Sequence, residues 1–246
     1  MTAPAPGATA VRVVEVDDER SPLADDSLAL IARTFDPRDS HPPDELRAEI
    51  AEKRLGLIAP FDFHVLAASE GDVVIGVVIG AYLAGVNAGF VNYLAVAESH
   101  RGHGVGRLLR PALVQCFRDG ARRAGNTDLN WVLGEVRSVN PWLQRLVASR
   151  GAVPFDLAYY HPGMRPGPHA SPYILYRQPV GNHAIELPVA LVRQLLYAIY
   201  RRAYRVRYPL RHEGFTAMLE QLAARDVVGP HPGFVYPDPE DDGPAG

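Results

Sequence analysis

The chain has 246 residues, enough for one large domain or a domain with an appendage. Hydrophobic residues make up 47% and charged residues 22%, as in a globular protein, and the net charge of −3 gives no general attraction to nucleic acid or anionic membrane. Cys116 is the single cysteine, which excludes an intrachain disulfide and points to a reducing cytoplasm.

Residues 1–10 are rich in Ala, Pro and Gly and lack the basic and apolar regions of a signal peptide, so they read as a disordered lead-in. Val11–Val16 alternates as a first strand. Ser21 or Asp25 caps a helix carrying Leu28, Leu30, Ile31 and Phe35. After a turn-rich loop, Asp36–Pro43, a second helix over Asp44–Leu55 turns Leu46 and Ile50 inward. Strands follow at Phe61–Ala68 and Val73–Leu83, joined by a Gly71-Asp72 turn. A turn over Gly85–Gly89 leads to the strand Phe90–Val96. The next helix carries Pro111, which removes a backbone bond and predicts a kink, and sets Cys116 on its apolar side as a core thiol.

Asp128–Val136 reads as a further strand and Pro141–Arg150 as a short helix ended by Gly151. Val153–Tyr159 and Tyr173–Arg177 are the last strands, with a Pro/Gly/His-rich loop between them. From Pro188 to Val206 a helix shows Val192, Leu195, Leu196, Ile199, Ala203 and Val206 on one face. Tyr197, Tyr200, Tyr204 and Tyr208 lie on the neighbouring face. Two apolar-aromatic faces ask for two neighbours: the body of the protein, and either a homodimer partner, a cleft that the helix covers or the helix predicted over Phe215–Arg225. The tail after Gly229 is Pro/Gly/Asp-rich and reads as flexible. No run is long and apolar enough to span a membrane.

The segment Val91–Leu109, V-N-Y-L-A-V-A-E-S-H-R-G-H-G-V-G-R-L-L, is the most specific in the chain. A strand, a glycine-rich turn and a helix in that order make an anion cradle, because amides and the helix dipole converge at the helix start. The Walker pattern needs a lysine that this stretch lacks, and the alternating Gly102, Gly104 and Gly106 do not meet G-x-G-x-x-G. What remains is R-x-x-G-x-G after a strand ending L-x-V. With Leu94, Val96, His100, Arg101, Gly102, Gly104, Gly106, Leu108 and Leu109, it resembles motif A of the GNAT acyltransferases.

The resemblance covers residues 11–180 and implies an α/β (α+β) fold: a mixed, mostly antiparallel central sheet flanked by helices. Residues 181–228 then form a C-terminal helical extension and 229–246 a flexible tail. It implies an acyl-CoA co-substrate, acetyl-CoA by default, and direct attack by a primary amine with no covalent enzyme intermediate. Leu94, Ala95 and Val96 are then expected to pair with the pantetheine arm. The amides of Gly102, His103, Gly104, Val105, Gly106 and Arg107 are expected to hold the pyrophosphate, with charge from Arg101 and Arg107. Arg107 reads equally well as a solvated helix arginine. Asn140 fits a pantetheine contact, a helix N-cap or both.

The family's R-x-x-Y-x-x-x-G-F pattern meets Arg145–Ala152 here, and Val147 stands where the tyrosine acid is expected. Tyr159, Tyr160 and His161 are the nearby substitutes, and Tyr160 is taken as the acid. Glu135 is the base: a glutamate among Leu133, Gly134 and Val136 is costly to bury alone, so it faces the cleft or pairs with Arg137 or Arg145. The histidines are scattered with no helical H-x-x-x-H spacing, so no metal is expected. The acceptor, a small-molecule or peptide amine, is expected between the loops Asp36–Pro43 and His161–Pro172. The alternative function is a non-catalytic acyl-CoA-binding or sensing module. A nucleic-acid or scaffold role fits the acidic balance poorly.

Overall fold

The computed structural model describes residues 10–37, 40–58, 62–137, 141–149, 151–167, 170 and 172–237. Two compact units emerge, Met1–Ala81 with Asn92–Asp119, and Tyr82–Val91 with Gly120–Gly246. Among the described residues, seven strands hydrogen-bond in the order β1 (Arg12–Glu15), β2 (Asp62–Glu70), β3 (Val73–Leu83), β4 (Ala88–Val96), β5 (Trp131–Arg137), β7 (Tyr173–Pro179) and β6 (Val153–Pro154). No described helix is long and apolar enough to cross a membrane.

The first unit holds β1 (Arg12–Glu15), α1 (Pro22–Thr34), α2 (Pro43–Arg54), β2 (Asp62–Glu70) and most of β3 (Val73–Leu83). It also holds the second half of β4 (Ala88–Val96) and most of α3 (Val105–Arg123). Ser21 is the cap of α1: its hydroxyl accepts from the Ala24 amide at 3.1 Å, with Pro22 opening the helix. Leu28 and Ile31 of α1 and Leu46 and Ile50 of α2 join Phe63, Val65, Ala67, Val77 and Ile79 in one core. β2 is buried along both faces, so its alternate residues His64, Leu66 and Ala68 are covered too. Helix α3 runs unbroken through Pro111.

The start of α3 sits on bare backbone. A Cβ added at Gly76 of β3 meets Val105 Cγ1 at 2.6 Å and Leu109 Cδ1 at 2.9 Å. Any larger residue there would make Val105 and Leu109 shift.

The second unit holds the rest of β3 and β4, with β5 (Trp131–Arg137), α4 (Pro141–Ala148), β6 (Val153–Pro154) and β7 (Tyr173–Pro179). β4 and β5 pair in parallel from Ala88 with Trp131 to Val91 with Gly134, and β5 and β7 pair antiparallel. A short ribbon, β8 (Leu187–Pro188) with β9 (Val227–Val228), brackets α5 (Val189–Ala198) and α6 (Glu213–Gln221).

Several sequence expectations change. β5 starts at Trp131 rather than Asp128, because Asp128 turns the chain: its carboxylate accepts from the Leu129 amide and its carbonyl from Asn87 Nδ2. The strand expected over Val153–Tyr159 is confined to β6, with an isolated bridge from Tyr159 to Tyr173. The backbone between is taken up elsewhere: Asp156 N–H donates to Gly229 O, and His231 N–H donates to Pro154 O. Phe234 and Tyr236 of the tail pack on the cluster of Leu143, Val147 and Ile174.

The helix expected from Pro188 to Val206 ends as an α-helix at Ala198 and continues as a π-turn, Ile199–Ala203, closed by Arg205 at φ 53°. The wider turn parts the tyrosine stripe. Tyr200 and Tyr204 are buried, while Tyr197 and Tyr208 are exposed. Phe215 of α6 lies 5.0 Å from Tyr200 and 6.3 Å from Tyr197, ring to ring, so α6 is one neighbour of the tyrosine face.

Two outcomes follow from the first unit. Gly76→Ala should cost about 1–3 kcal/mol by overpacking, read as a lowered unfolding midpoint. The second concerns pH. Burial pushes the His64 imidazolium down, but hydrogen bonding with Asp62, Cys116 and Glu15 outweighs it and raises its pKa from 6.5 to about 10. The folded state therefore holds this proton more tightly than the unfolded chain. Its contribution to stability is complete below pH 6.5 and is lost as pH climbs to about 10. Urea midpoints should fall across that window, with a shallower slope in His64→Gln; equal slopes would refute the assignment.

Candidate active-site elements

In the first unit, the turn after β4 is shaped by short backbone bonds. Ala97 N–H donates to Ile75 O at 2.9 Å, which fixes where the chain leaves the sheet. A 3-10 turn, Glu98–His100, follows, and His100 ties the loop to β2 through Glu70 at 3.6 Å. Gly102 and Gly104 then adopt φ of 83° and 85°, the left-handed region that side chains avoid. Space around both is open: a Cβ at either finds nothing within 4 Å. Helix α3 begins at Val105, and Arg107 N–H closes the turn on Gly104 O at 2.8 Å.

This backbone arrangement is able to hold an anion. The first-turn amides of Val105 and Gly106 have no acceptor within the helix, and the helix dipole adds partial positive charge. Arg101, His103 and Arg107 are exposed around the turn. Arg101 Nε donates back to Val96 O at 3.3 Å, so its guanidinium also braces the strand end. Leu94, Ala95 and Val96 lie beyond Val91, the last residue of β4 in register with β5. Leu94 and Val96 are half-buried and Ala95 is buried.

In the second unit, Glu135 on β5 is the centre of a buried polar group. Its side chain is 6% exposed, and Oε1 accepts from the Tyr204 hydroxyl at 2.9 Å. His161 Nε2 lies 3.7 Å from the same oxygen. His161 Nδ1 accepts from the Gly163 amide at 3.0 Å, so the neutral ring carries its proton on Nε2, turned toward the carboxylate. The His161 ring also packs edge-on against Tyr204, 4.7 Å between centroids. Burial first, then the charge of Glu135, raises the pKa of Tyr159 well above its ordinary value, and the same two causes raise Tyr200. Both phenols stay neutral.

Of the two catalytic candidates, Glu135 is thus held in a polar cluster, and Arg137 donates to the Tyr173 hydroxyl at 3.1 Å. Tyr160 is half-buried, and its carbonyl accepts from the Tyr200 hydroxyl. Val147 is 1% exposed in an apolar cluster with Leu143 and Ala152, so that site on α4 offers packing and no proton. Asn140 lies outside the described residues, as do parts of both loops expected to flank the acceptor. Tyr204 was missed as a partner of Glu135. The tyrosine stripe was its only signal, and the π-turn that buries Tyr204 has no spacing rule to announce it.

No curated protein matches the chain. The sequence model of the Acetyltransferase (GNAT) family matches residues 27–131, a span that takes in the glycine turn and stops before Glu135. A GNAT-family structure from Bacteroides thetaiotaomicron, provisionally assigned as an acetyltransferase, is 17% identical, with a TM-score of 0.50 over 77% of this chain and 97% of its own. A structure from Acinetobacter baylyi, assigned in the same provisional way, is 14% identical, with a TM-score of 0.50 over 72% of this chain and 96% of its own. One from Salmonella typhimurium, assigned likewise and solved with acetyl-CoA, is 19% identical, with a TM-score of 0.46 over 71% and 96%. The family match and the shared sheet-and-helix order identify residues 27–131 as part of a GNAT acetyltransferase-family domain.

Proposed function

We propose that this protein is an N-acyltransferase that moves an acyl group, acetyl by default, from acyl-CoA to a primary amine of a small molecule or peptide. The observation that carries the catalytic reading is Glu135: a nearly buried carboxylate held by a tyrosine hydroxyl and faced by an imidazole. A module that only binds acyl-CoA has no use for so costly a group.

The glycine turn holds the co-substrate's pyrophosphate on the amides at the start of α3, and Leu94–Val96 offer backbone groups to the pantetheine amides. Glu135 takes the proton of the incoming amine, directly or through a water. The amine nitrogen bonds to the thioester carbon, the C–S bond breaks, and the thiolate leaves with the electron pair. Tyr160 supplies the proton to that thiolate. It suits the task better than Tyr159, which is fully buried and held neutral by its surroundings. Tyr204 fixes the orientation of the carboxylate.

Glu135→Gln should lower kcat about 10²-fold or more, the usual loss for a general base, while calorimetry finds acetyl-CoA affinity unchanged. Wild-type turnover in that variant across pH 6–9 would refute the role. Binding of acetyl-CoA with no turnover on any of a panel of amines would favour the sensing alternative.

The cradle has its own test. Gly104→Val puts a β-branched residue at φ 85° and should weaken acetyl-CoA binding at least about tenfold. Gly85→Ala, outside the cradle, is the control, because a Cβ there finds nothing within 4 Å and its φ is not left-handed. It should fold and bind like the wild type. Unchanged affinity in a folded Gly104→Val protein would remove the cradle from the binding site.

A further inference from the structure

We propose that Glu15, His64 and Cys116 form a binding site for one divalent transition-metal ion of zinc's kind, a site that the Lys53 ammonium now closes. It belongs to the first unit and is independent of acyl transfer. The three donor atoms lie within 4.8 Å of one another. Each is carried by a regular element: Glu15 ends β1, His64 sits in β2, and Cys116 lies on α3. β1 and β2 pair with Glu15 opposite Leu66, which puts Glu15 and His64 on one face of the sheet. Helix α3 covers that face, with the Phe117 ring 6.3 Å from His64. Donors on strands and a helix are positioned more rigidly than donors on loops.

The donor set is chemically selective. Thiolate, imidazole and carboxylate together suit a borderline-soft, tetrahedral ion. With bonds of about 2.0–2.3 Å, such an ion holds its donors about 3.3–3.8 Å apart. The observed spacing therefore needs a contraction of no more than about 1.5 Å, within the reach of side-chain torsions.

His64 supplies the second line of argument. It is 5% exposed, and its buried Nε2 makes no hydrogen bond of normal geometry. Nε2 lies 3.4 Å from Asp62 Oδ1, while Nδ1 lies 2.7 Å from Glu15 Oε1. A ring with one nitrogen toward the ligand group and the other toward a carboxylate is the arrangement that orients a metal-bound histidine.

Lys53 marks where positive charge is already favoured. Its Nζ donates to Glu15 Oε1, lies 2.8 Å from His64 Nδ1 and 3.9 Å from Asp62 Oδ1. It is the single lysine of the chain, it stands in the last turn of α2, and its side chain is 28% exposed. The ammonium can swing into solvent without moving backbone. The ammonium thus sits among the carboxylates of Glu15 and Asp62. A bound dication takes its place: the ammonium withdraws, and the ligands shed their protons to solvent as they bind. A cavity of about 690 Å³ opens beside Glu15 and Lys53, lined by Asp17, Asp18 and Glu19 together with Arg20 and Arg54.

The test is a titration of the tag-free protein with cobalt(II), followed by competition with zinc(II). One equivalent should give a thiolate-to-cobalt charge-transfer band, with release of protons, and zinc should abolish it. Cys116→Ser should lose the band and weaken zinc binding at least tenfold by calorimetry. Asp62→Asn should weaken it about 10–100-fold, as loss of an orienting carboxylate does. Lys53→Met removes the competing cation and should bind zinc more tightly than the wild type. Circular dichroism confirms folding of each variant. No charge-transfer band in the wild type, or equal zinc affinity in wild type and Cys116→Ser, overturns the proposal. A loss of acetyl transfer with metal binding intact leaves this site standing and strikes only the acyltransferase reading.

Discussion

The glycine turn can work only if the helix that follows it is held at a fixed height above the strand that precedes it. Gly76 sets that height. Val105 and Leu109, the first inward residues of α3, rest on its bare backbone, and a single methyl group there forces them outward. Between that strand and the seated helix lie Gly102 and Gly104 in left-handed geometry, with Arg101 reaching back to Val96. An anion site made of amides is sensitive to such shifts, because its strength comes from several weak dipoles aimed at one point.

The second unit solves a different problem. A carboxylate removed from water is destabilised by several kcal/mol unless hydrogen bonds replace its hydration. Glu135 is nearly buried, so its environment has to supply donors. Tyr204 gives a hydroxyl at 2.9 Å, and His161 presents an N–H from 3.7 Å. The π-turn is what delivers Tyr204. One extra residue per turn, closed by Arg205 in a conformation that non-glycine residues rarely adopt, is a local cost. The hydrogen bond to Glu135 offsets it. A segment beyond residues 27–131, the span that the family model matches, thus contributes to the polar group on which a catalytic reading depends.

What the sequence disclosed follows from range. The cradle was legible because strand, glycines and helix are consecutive, and each follows a local rule. The Ser21 cap and the inward Leu46 and Ile50 were legible for the same reason. The short reach of β6 was not, since Pro154 and Asp156 bond to Gly229 and His231, residues far along the chain. Nor was the start of β5, where Asp128 looks like strand but its carboxylate and carbonyl both serve a turn. Cys116 was expected as a core thiol; it is half-buried, in a charged cluster assembled by β1–β2 pairing and the placement of α3. Spacing rules for metal sites look for neighbours in sequence and pass over donors that meet only in space.

The absent tyrosine on α4 carries a lesson about how such sites change. Val147 is packed so completely that a phenol there would have to displace Leu143 or Ala152 from the same cluster. The position is core, and core positions resist polar groups. On the acyltransferase reading, the proton donor then has to come from another part of the fold. The second unit gathers Tyr159, Tyr160, Tyr173, Tyr200 and Tyr204 with His161 around β5 and β7, a density of hydroxyls that hydrophobic packing alone does not ask for. Most of them are tied down: Tyr204 to Glu135, Tyr200 to the Tyr160 carbonyl, Tyr173 to Arg137. A proton donor has to be accessible as well as near, and burial removes Tyr159 from contention. Tyr160, the donor in the proposed reaction, is half-buried, and its main chain is held by the Tyr200 hydroxyl on its carbonyl.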